Sequence, residues 1–148
     1  MRTTLVSAFP GTGKKHYCKT DLSFLPVTWA VDSDSSKFDK KHFPNNYIEH
    51  IKNNIGNVVY QFISSHEDVR KALVDNCLQF TLVYPDISLK EEYIERYKKR
   101  GSPEAFINLI SNNWEEWIIQ LTKQEYCKHI VLKKGEFISD VMDLHIDN

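Results

Sequence analysis

The chain has few of the residues that mark secreted, membrane-spanning or nucleic-acid-binding proteins. It has three cysteines in 148 residues, and Cys18, Cys77 and Cys127 form neither a CxxC pair nor a Cys/His zinc spacing. No apolar run approaches the roughly 20 residues that span a bilayer, and the first residues lack the apolar stretch of a signal peptide. The formal net charge of −1 lacks the basic excess of proteins that neutralise DNA phosphates. We therefore expect a soluble protein with reduced thiols in the cytoplasm, with no membrane partner and no nucleic-acid partner.

Short β-rich runs alternate with longer helical patterns along the chain. Five runs are predicted to be strands: Thr3–Phe9, Val27–Val31, Val58–Ile63, Phe80–Tyr84 and His129–Leu132. Apolar strands separated by helices predict an α/β fold of three layers, with a mostly parallel five-stranded sheet and helices on both faces. The length is that of one domain, so residues 1–148 are predicted to form a single unit. Ligands of such sheets bind beyond the carboxyl ends of the strands.

Turn and capping residues predict where the helices lie. A short helix is predicted over Lys14–Lys19, and another over Tyr47–Ile55, ended by a glycine. Four serines in capping patterns predict further helix starts: Ser65, Ser88, Ser102 and Ser139. The long helix after Ser102 has an apolar face that includes Trp114 and Trp117, which are predicted to pack in the core.

A phosphate-loop pattern follows the first predicted strand. The residues from Ala8 onward are A-F-P-G-T-G-K-K, and they match G-x-x-x-x-G-K-[ST] at Gly13 and Lys14, with Ala8 in place of the first glycine. In such a loop, backbone N–H groups and a helix N-terminus bind an anion, and the lysine reaches the terminal phosphates. The residues predicted to bind a nucleotide are Pro10, Gly11, Thr12, Gly13, Lys14 and Lys15. A Pro-Gly turn without a ligand is the alternative, and the strand before the motif and the helix after it favour the phosphate loop.

The loop resembles the P-loop of small nucleotide kinases, the group of nucleoside monophosphate, shikimate and gluconate kinases and small phage-encoded P-loop kinase-like proteins. Val31–Asp34 resembles the D-x-D segment of that group. Val83–Asp86, followed by Arg96 and Arg100, resembles its fourth strand and the arginine-bearing helix that leads into the lid. The resemblance implies the P-loop NTPase fold, ATP or another nucleoside triphosphate, Mg²⁺, and a small acceptor such as a nucleoside monophosphate. The short chain leaves room only for a minimal lid near residues 96–104.

Lys15 departs from the family pattern. Family loops have Ser or Thr after the lysine, whose hydroxyl coordinates Mg²⁺, whereas a protonated lysine cannot bind a metal and repels it. Two hypotheses follow. Either Lys15 supplies charge to a phosphate while Asp32 or Asp34 holds Mg²⁺ through water, or the site binds nucleotide with weak or no catalysis.

The two carboxylates after the second strand have two interpretations. The resemblance assigns Asp32 and Asp34 to the metal shell and to the acceptor hydroxyl, which one of them would orient or deprotonate. The alternative is a solvated turn, because D-S-D-S-S is ordinary turn composition. Their position after a strand favours a functional role.

Arginines and polar strand-end residues complete the candidate site. Arg100 is predicted to stabilise transition-state charge, and Arg96, one turn earlier, to contact the nucleotide. A solvated helix end is the alternative for both. Ser64, His66 and Arg70 are candidate acceptor-binding residues, with helix capping or a surface position as the alternative.

These residues favour a kinase-like enzyme that transfers a γ-phosphoryl group from ATP to a small acceptor. Two alternatives stay open. The chain is a nucleotide-binding regulatory or interaction protein that has lost transfer chemistry, for which a protein partner is possible. Or it is a polynucleotide-end or toxin-type P-loop kinase, which the missing basic excess disfavours.

Overall fold

Five parallel strands form one sheet at the centre of the computed structural model, which describes residues 2–13 and 28–141. The strands are β1 Thr4–Ala8, β2 Thr28–Asp32, β3 Val58–Ser64, β4 Thr81–Pro85 and β5 Lys128–Leu132. Their spatial order is β2-β3-β1-β4-β5, and every neighbouring pair is parallel. The predicted parallel five-stranded sheet is confirmed, and each strand begins and ends within one residue of its predicted bounds.

Five helices are described, together with two short 3₁₀ turns at Ser35–Lys37 and Ile87–Leu89. The helices are α1 Asn45–Asn54, α2 Glu67–Asp75, α3 Lys90–Lys99, α4 Glu104–Thr122 and α5 Ile138–Val141. The helix predicted over Lys14–Lys19 lies outside the described residues. Within residues 2–13 and 28–141, no helix combines the length and the apolar character that crossing a bilayer requires.

Both faces of the sheet are buried, because side chains alternate between them along each strand. Leu5 belongs to a large apolar cluster that packs against α1, α2, α3 and α4. The next residue, Val6, belongs to a smaller cluster that packs against Ile138 of α5. Helices on both faces were predicted, and the described residues confirm them.

All four helix starts predicted at serines are wrong by at least one residue. Helix α4 begins at Glu104, after Pro103 and not after Ser102. Helix α2 begins after His66 and not after Ser65, and the His66 amide donates to Ser64 Oγ (3.2 Å). Both polar groups of Ser88 donate to Asp86 Oδ1, the hydroxyl at 2.7 Å, so Ser88 belongs to a 3₁₀ turn before α3. Ser139 lies inside α5 and does not cap it. A serine in a capping pattern has several nearby partners, and the sequence does not show which one it takes.

The long helix α4 has the predicted apolar face. Trp114 is fully buried, and Trp117 is partly buried against the same cluster. Only residues 100–103 separate α3 from α4. The minimal lid predicted near residues 96–104 would therefore consist of the end of α3 and this connection.

Candidate functional site

The loop after β1 leaves the sheet at a topological switch point, where the connections of two neighbouring strands run to opposite sides of the sheet. From β1 the chain continues to β2 on one side of the sheet, and from β4 it continues to β5 on the other. Ligands of open parallel sheets bind in the crevice at such a point, outside the carboxyl ends of the strands. The loop follows β1 directly and also contacts β4, because the Phe9 amide donates to Val83 O of β4 (2.9 Å).

Every carbonyl of the loop from residue 9 to residue 12 accepts a hydrogen bond. The donors, in that order, are the Thr12 hydroxyl (2.9 Å), the Tyr97 hydroxyl (2.7 Å), Arg96 Nη1 (2.7 Å) and the Ile138 amide (2.8 Å). In a trans peptide the N–H points away from the carbonyl it is bonded to. The amides of residues 11–13 therefore point away from the side chains and the amide that hold these carbonyls.

Two glycines make this backbone path possible. Gly11 has φ +88° and Gly13 has φ +95°, while Thr12 between them does not have a positive φ. This alternation is the backbone pattern in which successive N–H groups line an anion-binding concavity. A Cβ on Gly11 would lie 2.8 Å from Tyr97 Cε1, and one on Gly13 would lie 3.0 Å from Phe137 Cδ1. Both positions thus require glycine for conformation and for space.

Arg96 holds the backbone of the loop in place. Besides Gly11 O, its guanidinium donates to Glu136 O (3.0 Å) and forms an ion pair with Glu92 (3.0 Å). It also lies between the rings of Tyr93 and Phe137, with Cζ at 4.3 Å and 3.9 Å from their centroids. In the described structure Arg96 positions the backbone of the loop, and its predicted direct contact with a nucleotide stays a prediction.

Arg100 lies on the exposed end of α3. Its Nε donates to Ser102 Oγ (2.8 Å), and its Cζ is 5.0 Å from the ring centroid of Tyr97, which holds Pro10 O. Burial raises the pKa of the Tyr97 phenol, which keeps this hydroxyl a donor. Arg100 therefore stands one side chain away from the loop, on the segment predicted to be a lid.

Asp32 and Asp34 lie at the carboxyl end of the edge strand β2. Asp34 Oδ1 accepts from both the amide (2.9 Å) and the hydroxyl (2.7 Å) of Ser36, so Asp34 is the N-cap of the 3₁₀ turn Ser35–Lys37. Asp34 thus belongs to the predicted turn, and it also lies at the strand end where a functional residue is predicted. Within the described residues, no group of three or more His, Cys, Asp or Glu side chains is arranged to hold a metal ion. Mg²⁺ needs only one or two carboxylates when phosphates and water complete its shell, so Asp32 and Asp34 fit the predicted magnesium site.

A buried hydrogen-bond network ties the carboxyl ends of β1, β2 and β3 together. The Tyr47 hydroxyl donates to Ser33 O (2.6 Å) and accepts from the Ser64 amide (3.2 Å). Ser64 O in turn accepts from the Ser7 hydroxyl (3.0 Å), while Ser33 Oγ accepts from Gln61 Nε2 (3.0 Å). Burial raises the pKa of the Tyr47 phenol, so it stays protonated in this role. The network holds the ends of these strands in register around the crevice.

The remaining candidates occupy the start of α2. Ser64 is buried and belongs to the network, whereas His66 is exposed at the N-cap position. Arg70 is 6% exposed, and it donates to Ser65 O (2.9 Å) and to Gln124 Oε1 (2.7 Å). Burial lowers the pKa of Arg70, and its bond to Gln124 joins α2 to the segment after α4. Contacts of Ser64, His66 and Arg70 with an acceptor stay predictions.

Lys14 and Lys15 lie outside the described residues, so the structure gives no position for either side chain. Sequence reasoning missed the residues that hold the loop and the network, above all Tyr97, Tyr47 and Ser33. For Tyr97, the available signal was its position next to Arg96 on the helix after β4.

No family model and no curated protein matches this chain. Among solved structures, the fold is similar to that of an uncharacterized protein from Eubacterium ventriosum ATCC 27560, with a TM-score of 0.51 and 13% sequence identity. The alignment covers 99% of this chain and 97% of that one. At this identity the likeness concerns the fold alone, and it shows that the same architecture occurs in that protein over nearly the whole length.

Proposed function

We propose that this chain is a small P-loop NTPase-type domain that binds a nucleoside triphosphate at residues 10–15 and transfers its γ-phosphoryl group to a small acceptor, such as a nucleoside monophosphate. The observation that carries the proposal is the loop after β1, in which four consecutive carbonyls all accept hydrogen bonds from within the protein. Each of the three amides that follow these carbonyls points away from the carbonyl before it, and such amides are suited to phosphate oxygens. The loop also lies at the switch point of a parallel sheet, where ligands of such folds bind.

We assign roles to the other site residues from the sequence motif and the family resemblance. Lys14, next in the sequence after Gly13, neutralises the terminal phosphates. Asp32 or Asp34 would hold Mg²⁺ through water and orient the attacking oxygen of the acceptor, which in a nucleoside monophosphate is a phosphate oxygen. This oxygen bonds to the γ-phosphorus while the bond to the β-γ bridging oxygen breaks, and the nucleoside diphosphate leaves. Arg100 approaches the transferring group from the short connection after α3 and stabilises its developing charge. Mg²⁺, when bound, neutralises charge on the phosphates.

Binding of ATP tests the proposal directly. We expect ATP to raise the melting temperature in a concentration-dependent way, because a ligand of the native state stabilises it. The Lys14→Ala variant should bind ATP about tenfold more weakly in calorimetric titration, since it loses a charge-assisted contact. Lys123→Ala is the control, because this exposed lysine lies just before β5, towards the amino edge of the sheet. No stabilisation by ATP, GTP or nucleoside monophosphates would contradict a nucleotide site.

One sequence feature favours a second candidate function, nucleotide binding without transfer. Lys15 stands where family loops carry the hydroxyl that coordinates Mg²⁺. A protein that binds nucleotide but transfers no phosphate would act through conformational change or through a partner. Incubation with ATP and a panel of nucleoside monophosphates, followed by ADP measurement, separates this candidate from the kinase.

The Lys15→Ser variant is expected to bind ATP more tightly with Mg²⁺ than without it, because serine restores the metal ligand and removes a repelling ammonium. In the unmodified protein the same comparison should show a smaller difference. The measurement is ATP titration of both proteins in Mg²⁺ and in EDTA. Equal Mg²⁺ dependence in the two proteins would show that Lys15 does not replace a metal ligand.

A further inference from the structure

A cavity of about 680 Å³ lies at the amino ends of the strands, where β1, β4 and β5 begin, opposite the end that carries the phosphate loop. Its volume is within the range of about 300–1,000 Å³ that small-molecule sites occupy. The phosphate loop leaves β1 at the carboxyl edge, so the two regions are separated by the length of a strand. The cavity is therefore not part of the candidate nucleotide site.

The parallel register places several of the lining side chains on one face. Thr81 of β4 is paired with Val6 of β1 and with Lys128 of β5, while Thr4 is paired with Tyr60 of β3. Thr4 and Val6 are two residues apart and so project from the same face. The side chains of Thr4, Tyr60, Thr81 and Lys128 thus share the face on which the cavity opens.

The lysine and arginine side chains are the charged groups among the described lining residues, so the charge of those residues is of one sign. The described lining residues include Arg2 and Lys128 and no aspartate or glutamate, although the chain contains 20 of them. Both cations are exposed, and neither forms an ion pair with a residue in the described part of the chain. His129 also lines the cavity, but both of its ring nitrogens already have partners. Nε2 contacts Gln124 O (2.7 Å), and Nδ1 contacts the Tyr84 hydroxyl (3.0 Å).

The interior of the cavity offers an apolar floor and hydroxyl groups. Tyr60 and Ile130 are at most 8% exposed, lie on the face on which the cavity opens, and form the floor. The hydroxyls of Thr4 and Thr81 are half-buried, and within residues 2–13 and 28–141 they have no hydrogen-bond partner. Partly buried hydroxyls in a cavity are suited to polar atoms of a bound molecule.

We infer that this cavity binds a small organic anion. The apolar body of the ligand lies on the floor, its acidic group lies between Arg2 and Lys128, and the hydroxyls of Thr4 and Thr81 accept or donate hydrogen bonds to it. The ligand class is a carboxylate, phosphate or sulfonate attached to a ring or a short apolar chain. This site does not depend on the proposed nucleotide site.

A pair of fluorescent probes tests the inference on the full chain. One is 8-anilinonaphthalene-1-sulfonate, and the other is N-phenyl-1-naphthylamine, which has the same rings without the sulfonate. We expect one sulfonate probe to bind per chain, and the neutral probe to bind about tenfold more weakly, because it lacks the charge that two cations attract. Equal affinity for the two probes, or no binding of the sulfonate, would overturn the inference.

Charge variants locate the probe. Lys128→Gln and Arg2→Gln should each weaken binding of the sulfonate about fivefold, and raising the salt concentration should weaken it further, because both cations are exposed to solvent. Lys98→Gln removes another exposed charge, one on α3 that is paired with Glu95, and it should change nothing. An equal effect of Lys98→Gln and Lys128→Gln would overturn the site. So would loss of the probe in Lys14→Ala, since the anion would then sit at the phosphate loop.

Discussion

Alanine in place of Trp114 is expected to lower the free energy of unfolding by about 4 kcal/mol, a large part of the stability of a domain of this size. The side chain is fully buried and packs against Phe9 and Tyr93, with ring centroids 5.6 Å and 5.7 Å away. Its Nε1 also donates to Ile87 O (2.7 Å), so truncation leaves a carbonyl without its donor as well as a cavity. Tyr93 is buried in the same core, and this burial raises its pKa to about 12.

Urea unfolding monitored by far-ultraviolet circular dichroism measures the loss as a shift of the midpoint at constant slope. Trp117→Ala is the matched control, because Trp117 is one turn along the same helix and only partly buried. It should cost about 1–2 kcal/mol. Trp114→Phe keeps a ring but removes the N–H, and it should cost an intermediate amount. Equal losses in Trp114→Ala and Trp117→Ala would contradict the packing described for α4.

The positions of the strands could be predicted from the sequence because a parallel strand is buried on both faces. Such a strand is a short continuous apolar run, and Val58–Ile63 or Phe80–Tyr84 can hardly form anything else between turn residues. The apolar stripe of α4 was equally clear, because helical spacing repeats over five turns. Helix starts were less predictable. Ser65, Ser88, Ser102 and Ser139 each lie close to a cap without being one, since a single hydroxyl fits several local hydrogen bonds.

The contacts that shape the candidate site could not be predicted, because they join distant parts of the chain. Arg96 and Gly11 are 85 residues apart in the sequence, and Tyr97 and Pro10 are 87 apart. Charge and spacing identified Arg96 as a candidate ligand of phosphate, but they do not show which acceptor a guanidinium takes. In the fold its bonds go to loop carbonyls and Glu92.

The cavity at the amino edge shows the same limit of sequence reasoning. Arg2, Thr4, Thr81 and Lys128 form no motif, and only the register of β1, β4 and β5 brings them together. The charge of the first half of the chain was visible, with ten Lys and Arg against seven Asp and Glu in residues 1–74. It did not indicate which strands would share an edge.

Alanine at Gly11 is expected to cost about 3 kcal/mol of stability and to weaken ATP binding between about tenfold and about 100-fold. A side chain at φ +88° is strained, and the added Cβ would lie 2.8 Å from Tyr97 Cε1 and 3.3 Å from Tyr93 Cδ2. Tyr97 cannot move away without releasing Pro10 O, which its hydroxyl holds at 2.7 Å. Relief of the contact therefore displaces the loop amides, and the loss of one bond to a charged phosphate accounts for the expected weakening.

Gly101→Ala separates the conformational part of this effect from the packing part. Gly101 has φ +76°, but nothing lies within 4 Å of an added Cβ, so this variant should cost about 1 kcal/mol and leave ATP affinity unchanged. Urea unfolding and ATP titration of both variants, at a temperature where both are folded, give the two numbers. If Gly101→Ala lost as much stability as Gly11→Ala, the contact with Tyr97 would contribute nothing. If Gly11→Ala lost stability but bound ATP normally, the loop would be a structural turn and the nucleotide would bind elsewhere.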